Sequence, residues 1–431
     1  MRNPTQLTKA ALLAGLSLTV MSSAALAQQT VVDFYYPIQV GGPLTQVIDG
    51  YVAEFEAANP DIDIVPVYSG NYQDTTTKAL TAAKAGDPPA LAVLLATDIF
   101  TLIDEDVIEP IDTFFTPEDQ EWVDGFMPAY LASAQVDGHL WAVPFQRSTA
   151  VLYWNKEAFA EAGLDPEKYP TTWDEMVEYG KAVVAKDASG NVTRWGVGIP
   201  GNPGSAQWLF SALTAQNGAR LMNDAGNEVY LTDPKVVEAL EFWRDLSTVH
   251  GIHPPGIQEW GTTPSDFLEG RIAMVWTTTG NLTNIRNNAT FDFGLAPYPG
   301  NPDSASSLGG GNLYIFKDAS DEEKAAAMKF AKFLTSDELQ ADWSIQTGYV
   351  APRDGSWETQ ALKDYVAEVP EADVARQQIP TSVPEFSTHE NARTTKALND
   401  AIAAALTGSK EPADALNDAQ AEIDRILRSY R

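Results

Sequence analysis

The chain of 431 residues contains no cysteine. It therefore has no disulfide framework, no cysteine nucleophile and no cysteine that could carry a lipid anchor. Histidine is also scarce, and of the four histidines only His250 and His253 lie close together. No third histidine or cysteine follows them at zinc-site spacing, and no Walker-type or G-x-G-x-x-G phosphate loop is present. The sequence predicts no metal and no cofactor, and the histidine pair is interpreted as a loop after a helix.

Positively charged residues are also scarce. Lysine and arginine total 28 against 59 aspartates and glutamates, a formal net charge of -31. Such a field repels nucleic acid and anionic lipid, so we expect neither as a partner. Solubility is the simplest interpretation of the acidic surface. An anionic ligand would have to be held by local donors, because the protein as a whole repels it.

No apolar run reaches the roughly 20 residues that a membrane-spanning helix needs. The run at 11–21 is shorter, follows Arg2 and Lys9, and precedes Ala-Leu-Ala at 25–27. This order is typical of an export signal with an A-x-A cleavage site. The sequence therefore predicts a signal peptide over residues 1–27, cleaved after Ala27, and an exported mature protein.

Strand and helix patterns alternate along the rest of the chain. Residues 31–36 and 62–67 have strand patterns, and apolar residues recur at helical spacing across 44–57. Such alternation predicts an α/β fold with a mostly parallel sheet and helices on both faces. Ligands of these sheets lie beyond the carboxyl ends of the strands. That rule directs attention to Tyr36 and Tyr72.

The stretch from 143 to 156 carries the most information. Residues 150–154 are a dense run of β-branched and aromatic side chains, typical of a buried strand. Four polar residues, Gln-Arg-Ser-Thr at 146–149, come directly before it. A polar step at the start of a central strand predicts a crossover between two lobes, with side chains that face a cleft.

Aromatic residues at strand ends or in loops are the stronger binding signal. Tyr36, Tyr72, Trp276 and Tyr349 have such positions. Aromatic faces stack on sugars or trimethylammonium groups, and tyrosine hydroxyls form hydrogen bonds. The alternative for each of them is packing in the local core.

Two further features could hold an anion. Arg147 is a cation within an otherwise apolar crossover, and its guanidinium would suit a phosphate or carboxylate. A surface salt bridge is the alternative. Three glycines at 309–311 precede a strand, and their backbone could offer N–H donors to a ligand or form only a turn.

A family resemblance rests on several motifs. Residues 144–164 read Pro-Phe-x-x-Ser-Thr-x-x-Leu-Tyr-x-Asn-Lys-x-x-Phe-x-x-Ala-Gly-Leu. Phe-Leu-Glu-Gly-Arg-Ile-Ala-Met at 267–274, Phe-Asp-Phe-Gly at 291–294 and Thr-Gly-Tyr at 347–349 accompany it. Together they resemble the extracellular solute-binding proteins of ABC importers, and among them the periplasmic glycerol-3-phosphate-binding proteins.

The resemblance implies a two-lobe clamp, in which each lobe is a mostly parallel sheet flanked by helices and hinge strands join the lobes. It implies a periplasmic monomer, not an enzyme, that binds a small molecule and delivers it to an inner-membrane ABC permease. The expected divisions are 28–146 for the first lobe, 147–296 for the second, 297–317 for a return to the first, and 318–431 for a mainly helical part of the second.

The implied ligand is glycerol 3-phosphate or a glycerophosphodiester. A neutral sugar or oligosaccharide is the alternative within the family, and a secreted hydrolase is the alternative from another class. The family's ligand contacts carry over to five positions of this chain: Tyr72, Ser148, Thr278, Gly310 and Tyr349.

Charged groups depart from the family pattern at two places. Ala96 stands where the family has a carboxylate that binds glycerol, and Asp98 is near enough to replace it. The family's phosphate-binding arginine aligns near Thr395, where Arg393 is the nearest candidate. We therefore expect Asp98 and Arg393 in the site. A tryptophan of the second lobe is also absent around 199–201.

Overall fold

The computed structural model describes residues 29–431. The predicted signal peptide and its cleavage site lie outside the described residues. Within 29–431, no helix is long and apolar enough to cross a membrane. The strands are β1 (Thr30–Tyr36), β2 (Ile62–Tyr68), β3 (Leu91–Leu95), β4 (Gln135–Val136), β5 (His139–Leu140), β6 (Val143–Asn155), β7 (Ala185–Lys186), β8 (Val192–Gly198), β9 (Ile272–Thr278), β10 (Phe293–Ala296), β11 (Ser306–Ile315) and β12 (Ser382–Val383).

Helices occupy the segments between the strands and most of the C-terminal part. They are α1 (Leu44–Ala58), α2 (Tyr72–Ala85), α3 (Ile99–Asp104), α4 (Asp119–Asp124), α5 (Pro128–Ala132), α6 (Lys156–Glu161), α7 (Trp173–Val183), α8 (Ala206–Gln216), α9 (Pro234–Thr248), α10 (Thr263–Leu268), α11 (Leu282–Asn288), α12 (Asp321–Leu334), α13 (Asp337–Thr347), α14 (Asp354–Glu358), α15 (Gln360–Glu368), α16 (Val374–Gln378), α17 (Asn391–Leu406) and α18 (Pro412–Ile426).

Local chemistry sets where several helices begin. The Ser320 hydroxyl accepts a hydrogen bond from Glu323 N at 3.2 Å, and the Glu323 carboxylate accepts one from Ser320 N at 2.7 Å. This reciprocal capping box starts α12. Asp233 caps α9, and Pro234 supplies the first helical residue, where a missing N–H has no cost.

The main sheet runs in the order β2-β1-β3-β11-β6-β9-β8-β7, with β10 added to β6 and β12 to β11. Strands near its two ends pair in parallel, β1 with β2 and β3, and β8 with β9. The strands between them, β3-β11-β6-β9, pair antiparallel. The long strand β6 pairs with β11 over its first half and with β9 over its second. It is therefore the crossover between the two halves.

Two large apolar cores lie on either side of this crossover. The first surrounds β1 and β3 and includes Phe34, Phe145 and Trp343. The second surrounds the later part of β6, β9 and the helices α8, α9, α17 and α18, and includes Trp208 and Trp276. The α/β two-lobe architecture expected from the family resemblance is confirmed.

Helices α12 and α13 pack differently from the expected division at residue 318, which placed everything after it in the second lobe. Phe330, Leu334 and Trp343 belong to the first core, and the Phe330 ring meets the edge of Phe34 at 5.4 Å. The physical reason is the short link from β11, which ends beside β3 in the first lobe and leaves α12 no distance to cross. Of the C-terminal helices, α17 and α18 pack in the second core.

The crossover strand is also longer than the apolar run at 150–154 indicated. It begins at Val143 and includes the polar residues 146–149, all of them buried. Their backbone groups pair with β11, with Arg147 opposite Gly310 and Ser148 opposite Gly309. Because the ladder satisfies these groups, the polar residues can be buried in a strand.

Gly310 is required by the close approach of β11 to β6. Its φ is +96°, in the region that only glycine adopts freely. A Cβ at this position would lie 1.8 Å from the carbonyl oxygen of Gln146. Replacing Gly310 by any other residue therefore forces the two crossover strands apart.

We expect Gly310→Ala to lower the free energy of unfolding by about 2–5 kcal/mol, the sum of the left-handed backbone cost and the clash. Gly408→Ala is the matched control, because Gly408 also has a positive φ of +71° but open space at the Cβ position. It should cost only about 1–2 kcal/mol. Urea denaturation measures both, and equal losses in the two variants would contradict the proposed clash.

Candidate functional site

A cavity lies between the lobes, beside the crossover strands. Residues of both lobes form its wall: Gln39, Val40, Asn71, Tyr72, Gln73, Leu95, Ser148, Asn202, Pro203, Gly204, Ser205, Trp208, Trp260, Thr278, Gly310, Tyr349 and Glu385. All five positions that the family resemblance named are in this set. The structure thus brings Tyr72, Ser148, Thr278, Gly310 and Tyr349 together from five separate segments.

Tyr72 is placed by the start of α2. Asn71 and Asp74 form a capping box there, which fixes the backbone on which the ring stands. The Tyr72 hydroxyl donates to Gln146 Oε1 at 2.9 Å. Burial and the neighbouring Tyr349 raise its pKa well above the ordinary value, so the hydroxyl stays protonated.

Tyr349 follows the C-terminus of α13, where Gly348 has a φ of +97°. The ring stacks on Trp343, with centroids 5.8 Å apart. Tyr349 and Tyr72 both line the cavity and both belong to the first apolar core. The two tyrosines therefore form one side of the cavity together, within the first core, and do not face each other across it.

Two tryptophans of the second lobe complete the aromatic wall. The rings of Trp208 and Trp260 meet edge to face, with centroids 5.7 Å apart. Trp208 Nε1 donates to the Leu308 carbonyl at 3.1 Å, on crossover strand β11. Trp260 Nε1 donates to the Gln39 carbonyl of the first lobe at 3.2 Å. The second bond joins the lobes beside the cavity.

Sequence reasoning missed both tryptophans. Trp208 lies on α8, a helix that is buried on nearly every side. Its sequence therefore has no apolar stripe that would show which residues face the core and which face a cavity. Trp260 lies in a loop without a periodic pattern. Both line the cavity from the second lobe, where the sequence lacks a tryptophan around 199–201.

Glu385 is the ionisable carboxyl of this cavity, and sequence reasoning missed it as well. The side chain is buried, and Gln207 Nε2 donates to its Oε1 at 3.3 Å. Burial raises the pKa of Glu385 to about 8, although the Gln207 hydrogen bond and the charge of Arg147 act in the opposite direction. Within the part of the chain that the structure describes, no lysine or arginine lines this cavity.

Arg147 is in the crossover but faces away from the cavity. Successive strand residues point to opposite faces, so Ser148 lines the cavity and Arg147 does not. Only 1% of Arg147 is exposed, which excludes the surface salt bridge. Its Nη1 donates to Asn312 Oδ1 at 3.0 Å and to the Gly310 carbonyl at 3.3 Å.

The comparisons with known proteins agree with this architecture. A family model described as "Bacterial extracellular solute-binding protein" matches residues 50–371. The chain belongs to that family. The sn-glycerol-3-phosphate-binding periplasmic protein UgpB of Salmonella typhimurium is 28% identical to it over 434 residues, which cover 96% of this chain and 97% of the relative.

Solved structures of solute-binding proteins share the fold. UgpB from Mycobacterium tuberculosis in complex with glycerophosphocholine has a TM-score of 0.82 at 24% identity, and the match covers 93% of this chain and 99% of the other. Maltose-bound MalE3 of T. maritima has a TM-score of 0.79 at 22% identity, and the match covers 92% of this chain and 100% of the other. A phosphodiester binder and a sugar binder are therefore similarly close in fold.

Two aromatic candidates of this solute-binding protein do not line the cavity. Tyr36 is buried in the first core, where its ring stacks on Phe34 at 5.6 Å. Trp276 is fully buried in the second core and stacks on Tyr298 at 4.0 Å. For both residues the structure shows the core packing that was the alternative.

The other two charged candidates, Asp98 and Arg393, do not line the cavity either. Asp98 accepts a hydrogen bond from Thr76 Oγ1 at 2.7 Å, and burial raises its pKa to about 6. Arg393 projects from α17 into solvent, with 59% of its side chain exposed, and pairs with Glu390 at 3.3 Å.

His250 and His253 are not arranged as a pair of metal ligands. His253 is buried, its Nδ1 is 2.6 Å from the Pro254 carbonyl oxygen, and its Nε2 contacts the backbone of Ile199. Across residues 29–431 no cluster of three or more potential metal ligands occurs. His253 is thus a buried hydrogen-bonding residue.

The pH dependence of stability tests the protonation of Glu385. Its folded pKa, about 8, lies above the ordinary 4.5, so the native state holds the proton more tightly than the unfolded chain. The resulting stability is complete below pH 4.5 and is lost as pH rises through about 8. Relative to Glu385→Gln, the wild type should lose more than about 1 kcal/mol of unfolding free energy over this range, because each pKa unit corresponds to about 1.4 kcal/mol.

Urea denaturation at a series of pH values measures this difference. Asp98 also titrates in the range and is present in both proteins, but its charge contributes to the raised pKa of Glu385. The difference therefore measures Glu385 together with its interaction with Asp98. Parallel pH profiles would show that the Glu385 carboxyl keeps an ordinary pKa.

Proposed function

We propose that the chain captures a glycerophosphodiester between its lobes and delivers it to an inner-membrane ABC permease. Its family makes it a substrate-binding component of an importer. The identity of the ligand is the part that we propose here. The observation that carries the proposal is the character of the cavity wall, which combines aromatic rings and neutral polar groups with a single buried carboxyl. The sequence is expected to begin with a signal peptide for export, and the relatives are periplasmic. Both points support a periplasmic location.

Charge decides between the two ligands that the family resemblance implies. Free glycerol 3-phosphate is a phosphate monoester with a charge near -2 at neutral pH. In the described residues the cavity has no lysine or arginine to neutralise it, and the net charge of -31 repels it. A phosphodiester carries one negative charge, which hydroxyls of Ser148 and Thr278 and the Gly310 backbone can meet with hydrogen bonds.

The other end of the ligand would then face the tryptophan pair. A quaternary ammonium head group is attracted to the faces of Trp208 and Trp260, and the Glu385 carboxyl lies on the same cavity wall. A cationic head also offsets the single phosphate charge, so the whole ligand is neutral. The relative that is solved in complex with glycerophosphocholine supports this choice.

A neutral oligosaccharide is the second candidate. Sugars are bound by aromatic faces together with amide and hydroxyl groups, and Gln39, Asn71 and Asn202 supply amides to this cavity. Several structural neighbours are sugar-binding proteins, among them the maltose-bound protein of T. maritima. What separates the two ligands is the contribution of Glu385, which a neutral sugar does not need as an anion.

Binding would act by closing the clamp. The ligand contacts both lobes, and closure is favoured only by contacts that the open form lacks. The hydrogen bond from Trp260 to Gln39 already joins the two lobes in this structure. No ligand bond is made or broken, in keeping with relatives that are binding proteins and not enzymes.

Thermal denaturation with a ligand panel tests the proposal. Glycerophosphocholine at about 100 times its Kd should stabilise the protein by about 2.7 kcal/mol, while glycerol 3-phosphate and maltose should do little at the same concentration. A one-to-one calorimetric titration, followed by a check for hydrolysis products, completes the experiment. Stabilisation by maltose alone would establish the sugar alternative, and product formation would establish the hydrolase.

Two variants locate the head group. Trp260→Ala should weaken glycerophosphocholine binding by more than about 1 kcal/mol, through loss of the cation–π contact. Glu385→Gln should weaken it as well, because the carboxylate no longer complements the cation. Tyr230→Ala, an exposed aromatic outside the cavity, is the control. Calorimetric titrations in which Glu385→Gln binds as tightly as the wild type would contradict the placement of the cationic head.

A further inference from the structure

A second cavity lies on the other face of the crossover strands. Its volume is about 330 Å³, and its wall includes Ala132, Arg147 and Gly309. Arg147 and Gly309 directly adjoin Ser148 and Gly310, which line the first cavity. Because neighbouring residues of a strand point to opposite faces, the β6–β11 pair separates two cavities.

Arg147 is a buried cation that forms no salt bridge among the described residues; the carboxyl of Glu385 lies on the wall of the same cavity, but burial raises its pKa to about 8 and favours its neutral form. Its hydrogen bonds go to a carbonyl and to the amide oxygen of Asn312, and its guanidinium lies 5.1 Å from the centre of the Tyr130 ring. Its Nε has no hydrogen-bond partner among the described residues. A guanidinium has five N–H donors and remains charged even when buried. Two neutral acceptors and one ring leave much of that capacity unused.

Burying a charge without a counterion is costly, and an arginine cannot avoid the cost by losing its proton. A structural role, in which Arg147 only holds Gly310 and Asn312, would not require a charge, since a neutral amide could donate the same hydrogen bonds. An anion in the adjoining cavity would both pair the charge and occupy the free donors. The Nε without a hydrogen-bond partner and the cavity next to it both indicate that an anion binds beside Arg147.

The remaining walls of this cavity suit a small organic molecule. Phe100, Val136, Met222 and Leu308 provide apolar surface, and Ser133 a hydroxyl. Two carboxyl groups also lie on this wall: Asp224, which is paired with Arg220, and the buried Glu385. A water molecule takes about 30 Å³ of liquid volume, so the cavity can hold several waters or a compact organic anion. An inorganic ion alone would leave the apolar surface uncovered.

We propose that this second cavity binds a small organic anion, a carboxylate or a phosphate ester, through the guanidinium of Arg147. It does so separately from the first cavity, so that one protein molecule holds both ligands at once. The bidentate geometry of the guanidinium makes either class of anion a suitable partner. Glu385 contributes to the walls of both cavities and stands between the two sites.

Succinate and phenyl phosphate are the probes for the two classes of anion. Calorimetry and thermal denaturation should be done at constant ionic strength, with sodium chloride as the reference. At least one probe should bind one to one and raise the melting temperature above that in chloride. Arg147→Lys should weaken this binding at least tenfold because the fork geometry is lost, and Arg147→Gln should abolish it.

A second variant avoids the risk that changes at Arg147 unfold the protein. Ala132→Trp keeps the guanidinium but fills the cavity from an exposed position at the end of α5, and it should also abolish anion binding. Trp260→Ala, in the first cavity, should leave anion binding unchanged. Saturating glycerophosphocholine should leave the one-to-one stoichiometry of anion binding unchanged, which separates this inference from the proposed function.

Three results would overturn the inference. The first is a wild-type protein that neither probe stabilises beyond chloride. The second is anion binding that survives in the folded Ala132→Trp variant. The third is competition between the anion and a ligand of the first cavity, which would make Arg147 part of a single extended site.

Discussion

The backbone pairing between β6 and β11 is the constraint on which the rest of the structure depends. It holds the lobes together at their centre, and it is close enough that a Cβ on Gly310 would meet the Gln146 carbonyl. Strand geometry then determines which residues face which cavity: Ser148 lies on one side and Arg147 on the other. A shift of the register by one residue would exchange the two faces, and it would place the guanidinium in the first cavity.

Electrostatics would allow this acidic protein to bind the proposed phosphodiester, although no lysine or arginine of the described residues lines its first cavity. Burial favours the neutral form of Glu385, so the cavity does not add a full negative charge next to the ligand. Neutral donors on Ser148, Thr278 and Gly310 can then meet the oxygens of a singly charged group. A cationic head group would shift the same carboxyl towards its ionised form, and the cavity would gain its countercharge only when the head group arrives.

The fold could be predicted from local strand and helix patterns, and five positions of the cavity wall could be predicted from the resemblance of the motifs to a known family. Tyr72 starts a capped helix, Tyr349 follows a glycine with positive φ, and Gly310 is confined by its backbone. Trp208, Trp260 and Glu385 carry no such signal, because only the packing of distant segments brings them to the cavity. The face of Arg147 was missed because the polar residues 146–149 were placed before the strand, whereas they lie within it. Once they are paired, alternation alone assigns Arg147 to the opposite side.

The same connectivity would couple ligand contact to any movement of the lobes. The chain crosses between the lobes through β6 and β11, and these strands also carry Ser148, Arg147 and Gly310. Any rotation of one lobe against the other therefore bends the strands that form the walls of both cavities. No separate relay is needed, since a ligand that holds these walls in one geometry biases the lobe angle directly. The free energy available for closure is then limited to the difference in ligand contact between the two geometries, and two occupied cavities would contribute to the same equilibrium.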